Sequence, residues 1–105
     1  MSPEGRGGRG GQAADDVPEA LLGLPNIGRA TAGLLTRAGI STPQELRQAG
    51  AVEAALRISG VRPEDPPCRS MLAALEGAVR GVRWHAIPKV ERERLWEEYW
   101  SRSRG

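Results

Sequence analysis

The stretch Leu22-Gly23-Leu24-Pro25-Asn26-Ile27-Gly28-Arg29-Ala30-Thr31-Ala32 decides how the rest of this chain is read. Pro25 pre-sets one backbone angle, and Asn26 and Gly28 are the residue types most at ease with positive φ. The chain is therefore expected to reverse tightly between Leu24 and Gly28, with a short helix on either side. Ile27 is placed to plug the gap between those helices, and the small Ala30 and Ala32 let them approach closely. A helix beginning near Gly28 leaves its first N–H groups without intrahelical acceptors, and such groups bind phosphate readily. Asn26, Gly28, Arg29, Ala30 and Thr31 are accordingly the candidate nucleic-acid contacts.

Working outward, the N-terminal 1–15 segment is low-complexity and rich in Gly and Arg, with almost no apolar side chain to offset ordering entropy. It is expected to be a disordered tail, followed by one domain over 16–102. Asp16-Val17-Pro18-Glu19 has capping-box spacing, and Gly23 and Pro25 stop the first helix early. The second helix is expected to reach Ala38, with Ala30, Leu34, Leu35 and Ala38 on one face and Gly39 closing it. Thr42-Pro43-Gln44-Glu45 is a second capping box, starting a helix that runs to Ala49 before Gly50.

Residues 51–59 are helix-prone, with Val52, Ala55, Leu56 and Ile58 apolar and Gly60 as the stop. Three prolines between Val61 and Pro67 make a loop. A helix over Arg69–Arg80 points Leu72, Leu75, Ala78 and Val79 inward beside Met71, and Gly81 breaks it. A connector holds Trp84 and His85, and the last helix starts around Pro88. No stretch alternates as a half-buried strand does. The expectation is an all-α bundle of five or six short helices containing a helix-hairpin-helix-like unit.

Composition narrows the function. A chain of 105 residues, 39% hydrophobic and 27% charged, builds one small core and encloses no deep cleft. The single cysteine excludes an internal disulfide and a cysteine zinc site, and fits a reduced, cytoplasmic setting. No apolar run approaches the roughly 18 residues of a membrane span, and the Gly/Arg-rich N-terminal stretch lacks the apolar run expected of a signal peptide. Net charge is +2, divided as −1, +1, 0 and +2 over residues 1–16, 17–50, 51–80 and 81–105. Tight non-specific DNA binding requires several uncompensated cations, so any duplex contact is expected to be weak.

The order of motifs resembles a known family. Leu24-Pro25-Asn26-Ile27-Gly28, Ala32, Ala38-Gly39-Ile40, Thr42, Glu45-Leu46 and Gly50-Ala51-Val52-Glu53-Ala54 are similar to the C-terminal domain of the TfoX family, bacterial competence regulators also called DNA transformation proteins. Met71 to Ala78 and Gly81-Val82-Arg83-Trp84-His85-Ala86-Ile87-Pro88 resemble its late helix and its glycine, tryptophan and Leu-Pro motif, with tryptophan and histidine exchanged in order. The likeness spans Leu21 to Leu95. It implies a helical, hairpin-containing module associated with regulation of DNA-uptake genes. Longer members carry a preceding α/β domain that has no counterpart in this sequence.

Aromatic, titratable and charged residues supply the remaining candidates. Trp96, Tyr99 and Trp100 share one helical face at i, i+3 and i+4; this is expected to be a core stripe on which Trp84 packs, or, if exposed, a protein interface. His85 has no second histidine to make a metal site and no acid beside it to tune a general base, so a partly buried structural role is expected. Cys68 is expected to be a passive thiol unless it caps a helix. Glu98 with Arg102, and Glu91 with Arg94, are expected to be solvent-face pairs. No catalytic order, phosphate loop or dinucleotide turn is present. The chain is thus expected to be a non-enzymatic binding module with no cofactor, no metal and no small-molecule substrate, its partner being either double-stranded DNA or a protein.

Overall fold

A single helical turn, α1 (Glu19–Leu22), opens the fold. The structure, a computed structural model, describes residues 17–104. The expected tail, and Asp16 of the first capping box, lie outside the described residues. Pro18 is the N-cap of α1 and its carbonyl accepts from the N–H groups of Leu21 and Leu22, at 3.1 and 3.4 Å. The reversal then falls on Asn26, the one non-glycine residue with positive φ (69°) among the described residues. Gly28 does not share this conformation. At φ −99° and ψ −175° it is extended, because the turn is complete at Asn26 and Gly28 already serves as the N-cap of α2 (Arg29–Arg37).

Helix α2 ends as its sequence indicates. Gly39 takes φ 89°, the Ile40 N–H reaches the Leu35 carbonyl at 2.8 Å, and the Gly39 N–H reaches Thr36 at 3.0 Å. These are the paired bonds of a Schellman end, sealed by the fully buried Ile40 and Leu35. Thr42 caps α3 (Pro43–Val61), its Oγ1 accepting from the Glu45 N–H at 3.0 Å. The Glu45 carboxylate returns one residue further than a standard capping box, to the Ser41 N–H at 2.7 Å.

Within α3, Gly50 stands at φ 83° and ψ 163°, so the element is two helices meeting at a kink, as the break after Ala49 indicated. Its second half runs through Gly60 to Val61, because a glycine in helical conformation weakens a helix without ending it.

A proline-rich loop leads to α4 (Arg69–Arg80), closed by Gly81 in the left-handed conformation at φ 76° and ψ 29°. A 3₁₀ turn over Trp84–Ala86 and the long α5 (Lys89–Arg104) complete an all-α bundle.

The second half of α3 is the centre of the bundle, packed against α2, α4 and α5. Ala51, Val52, Ala54, Ala55 and Ile58 are all buried, and the alanines bring neighbouring helix axes close. Leu21, Leu35, Ile40, Leu46, Leu72 and Leu75 fill the rest of the core. Ile27 joins it as expected, but Ala30 is exposed and only Ala32 permits the close approach. Val79, Met71, Leu56 and Ala38 are half-buried at its edge.

Helix α5 departs from expectation. Of its residues only Tyr99 is buried, Trp96 is half-buried, and Trp100 is 50% exposed. Packed against α3 and α4, it offers one narrow line to the core, and three large rings do not fit on it.

Candidate nucleic-acid interface

The head of α2 is open. Gly28, Arg29 and Ala30 are exposed and Thr31 is half-buried. No side chain caps the helix, and a Cβ built on Gly28 would meet nothing within 4 Å. The N–H groups of Ala30 and Thr31 have no acceptor among the described residues, the first intrahelical bond being Ala32 to the Gly28 carbonyl at 2.9 Å. This is the arrangement at which helix heads hold anions. At the other end of α2, Arg37 turns away to donate to the Val61 carbonyl at 3.3 Å.

Asn26 has a different task from its neighbours. Its Nδ2 donates to the Val82 carbonyl at 3.0 Å and to the Ala74 carbonyl at 3.4 Å, and its Oδ1 accepts from the Trp84 N–H at 3.2 Å. The turn between α1 and α2 is thereby bonded to the middle of α4, to the residue beyond its Gly81 cap and to the start of the 3₁₀ turn. Gly77 makes this possible. A Cβ at that position would run into Asn26 Nδ2 and would lie 2.6 Å from the Val82 oxygen and 3.2 Å from the Trp84 nitrogen. Asn26 thus positions the hairpin, leaving Gly28 to Thr31 at the surface.

The Trp84 segment borders a cleft of about 240 Å³ lined by Arg69, Ser70, Ala73, Trp84, Lys89, Arg92 and Glu93. Trp84 does not pack on the Trp96 stripe. It is 44% exposed, with the Arg92 guanidinium 5.3 Å from its ring centroid, while Arg92 Nε donates to the Ile87 carbonyl at 3.0 Å. Across the cleft, Arg69 lies 5.1 Å from the centre of the Trp96 ring. Trp96 stacks on Trp100 at 5.9 Å and 24°, and Arg104 lies 5.8 Å from the Trp100 ring. Guanidinium groups and indole rings therefore cluster along one side of α5 and around its first turn.

Several carboxylates are engaged elsewhere. Glu53 bonds Arg57 at 3.0 Å and Arg102 at 2.8 Å. Arg57, and to a lesser extent Arg102, hold its carboxyl below the usual glutamate range against the opposing effect of desolvation. Arg80 bonds Glu76 and Glu91, each at 2.7 Å, which raises the guanidinium pKa above its ordinary value. Glu91 thus pairs across to α4 and not with Arg94, because the helix crossing brings Arg80 to it, whereas the Glu98–Arg102 pair forms as expected at 3.7 Å. Arg69, Lys89 and Arg92 have no carboxylate within salt-bridge distance among the described residues.

His85 is exposed, edge-on to Trp84 at 5.7 Å, and not part of the core. Cys68 is exposed at the N-cap of α4. Among the described residues no cluster of His, Cys, Asp or Glu could hold a metal, and no helix is long and apolar enough to cross a membrane.

Sequence reasoning missed this cleft. Arg69 and Lys89 lie far apart in the chain, and near-neutral segment charges hide which cations lose their acids to other partners. The usable signal was the i, i+3 spacing of Lys89 and Arg92 just after the Trp84 connector.

Comparison with known proteins gives a consistent result. The family described as the TfoX C-terminal domain matches residues 17–99. A crystal structure of an uncharacterized protein from Listeria monocytogenes, in a triclinic form, is 43% identical, with a TM-score of 0.70 over 77% of this chain and 90% of that one. A tetragonal-form crystal structure of a protein of unknown function from Listeria monocytogenes has the same identity and TM-score, over 77% of this chain and 96% of that one. No curated protein matches.

Proposed function

We propose that this chain, which belongs to the TfoX C-terminal domain family, is a non-enzymatic module that binds the phosphate backbone of double-stranded DNA. The observation that carries the reading is the uncapped, exposed head of α2, held in place by the Asn26 bonds to Val82 and Trp84. In this reading Gly28, Ala30 and Thr31 present backbone to a phosphate, Arg29 adds charge, and Asn26 positions the turn. A phosphate contact of this kind fixes register without reading sequence, so affinity is weak and falls with salt. The family connection extends the proposal to regulation of competence genes in a bacterial cytoplasm.

Fluorescence anisotropy with a labelled duplex at about 50 mM salt tests the reading, because the electrostatic contribution is largest at low ionic strength. The expected result is measurable binding that Arg29→Glu weakens. Duplex binding untouched by that substitution would remove the hairpin from the interface.

A further inference from the structure

We propose that the Arg- and Trp-bearing face of α5, together with the cleft at its first turn, is a binding track for an unpaired nucleic-acid strand. The inference uses residues separate from the α2 head. Two large rings, Trp84 and Trp100, are 44% and 50% exposed, where burial of such surface is the norm. Each has a guanidinium near its ring, Arg92 at 5.3 Å and Arg104 at 5.8 Å, and half-buried Trp96 has Arg69 at 5.1 Å.

These cations are held by rings and, for Arg92, by a backbone carbonyl; the acids that neutralise Arg57, Arg62, Arg80 and Arg102 do not reach Arg69, Lys89 or Arg92. The cleft between Trp84 and Arg69 therefore carries three positive groups against one carboxylate, Glu93.

The ligand follows from that chemistry. Tryptophan and arginine also suit protein contacts, but three positive groups against one carboxylate, with Val82 and Val90 the only large exposed aliphatics among the described residues, favour a polyanion over an apolar helix. Exposed π-surface with guanidinium groups beside it matches bases and phosphates, which is how proteins hold single strands without reading sequence. Bases paired in a duplex have no free face to offer these rings. From Arg92 to Trp100 is eight residues, about 12 Å along the helix axis, enough for a short run of strand.

In this arrangement Trp84 and Trp100 each stack a base, Arg69 and Lys89 contact the phosphates between them, and Glu93 opposes binding.

The test is a titration of the full chain with a 12-nucleotide oligothymidine, followed by tryptophan quenching and by anisotropy, beside a labelled duplex of the same length. The expected result is quenching on binding. The double variant Trp84→Leu/Trp100→Leu should weaken oligothymidine affinity at least tenfold, since stacking of one base alone is worth about five- to a hundredfold. Glu93→Gln should tighten it. Lys89→Glu, at an exposed site, should cost at least fivefold and decides the matter if the aromatic variant is poorly folded.

Absence of binding overturns the proposal, as does a loss smaller than those stated in the variant that decides. The duplex arm separates the two readings. Arg29→Glu reports on the hairpin, whereas the tryptophan and lysine variants report on the track, and either can fail without the other.

Discussion

Replacing Gly77 by alanine puts two physical effects of opposite sign in competition. In an exposed helix the change would stabilise by up to about 1 kcal/mol, because alanine is the better helix former. Here the new Cβ would lie 2.6 Å from the Val82 oxygen and 3.2 Å from the Trp84 nitrogen, both backbone atoms that no rotamer change can move, and would also strike the Asn26 amide. Forcing an extra carbon into packed structure costs about 1–3 kcal/mol. Displacing Asn26 loses its bonds to Val82 at 3.0 Å and Trp84 at 3.2 Å, each worth about 1 kcal/mol net. The balance is a destabilisation of about 2–4 kcal/mol, or roughly 10–25 °C in Tm for a domain of this size.

Urea unfolding followed by far-ultraviolet circular dichroism measures it. Asn26→Gly is the companion variant, since it deletes the amide yet tolerates the φ of 69°. In that background Gly77→Ala should cost about 1–2 kcal/mol less, the coupling expected of groups in contact. A Gly77→Ala protein as stable as the parent, or more stable, would refute the close approach of hairpin and α4.

Thr42→Ala removes the cap on Glu45 and should lower stability by about 1 kcal/mol, read from the same urea curves. Gly50→Ala should cost about 1–3 kcal/mol purely as backbone strain, because φ 83° with ψ 163° is a glycine conformation and nothing crowds the new Cβ. Its midpoint in urea should therefore fall with little change in slope. Glu53 has its pKa lowered in the folded protein, so its contribution is present above the ordinary glutamate range and is lost as pH falls through the lowered value. Glu53→Gln should flatten that acid limb by about 0.2–1 kcal/mol, the scale of exposed pairs, and thermal melts at stepped pH would show it.

Features carried by neighbouring residues were legible from the chain itself. The Asn26 reversal, the Schellman end at Gly39, the Thr42 cap and the Gly50 break depend on φ preferences and on bonds spanning a few positions, so residue type determines them. The all-α class followed from the same breaks and from helical spacing of the apolar residues.

What stayed hidden depends on partners distant in sequence. Gly77 looks like a poor helix residue until Asn26, Val82 and Trp84 are set against it. Glu91 has an arginine three residues on, yet helix crossing brings Arg80 nearer. Trp84 looked like core because tryptophan usually is, and only the geometry of the 3₁₀ turn sends it outward. The candidate residues at the α2 head were readable from the turn, whereas the cleft required knowledge of which cations the acids leave behind.

One amide group, that of Asn26, fastens the tip of the hairpin to the backbone on which Trp84 is mounted. The open end of α2 and the indole beside the cleft are therefore two jaws on a common pivot, and neither can shift far without dragging the other. Were binding at one of them coupled to binding at the other, linkage would require the same factor in both directions. In so small a fold the two surfaces lean on one shared support, so loss of that single amide would loosen both at once.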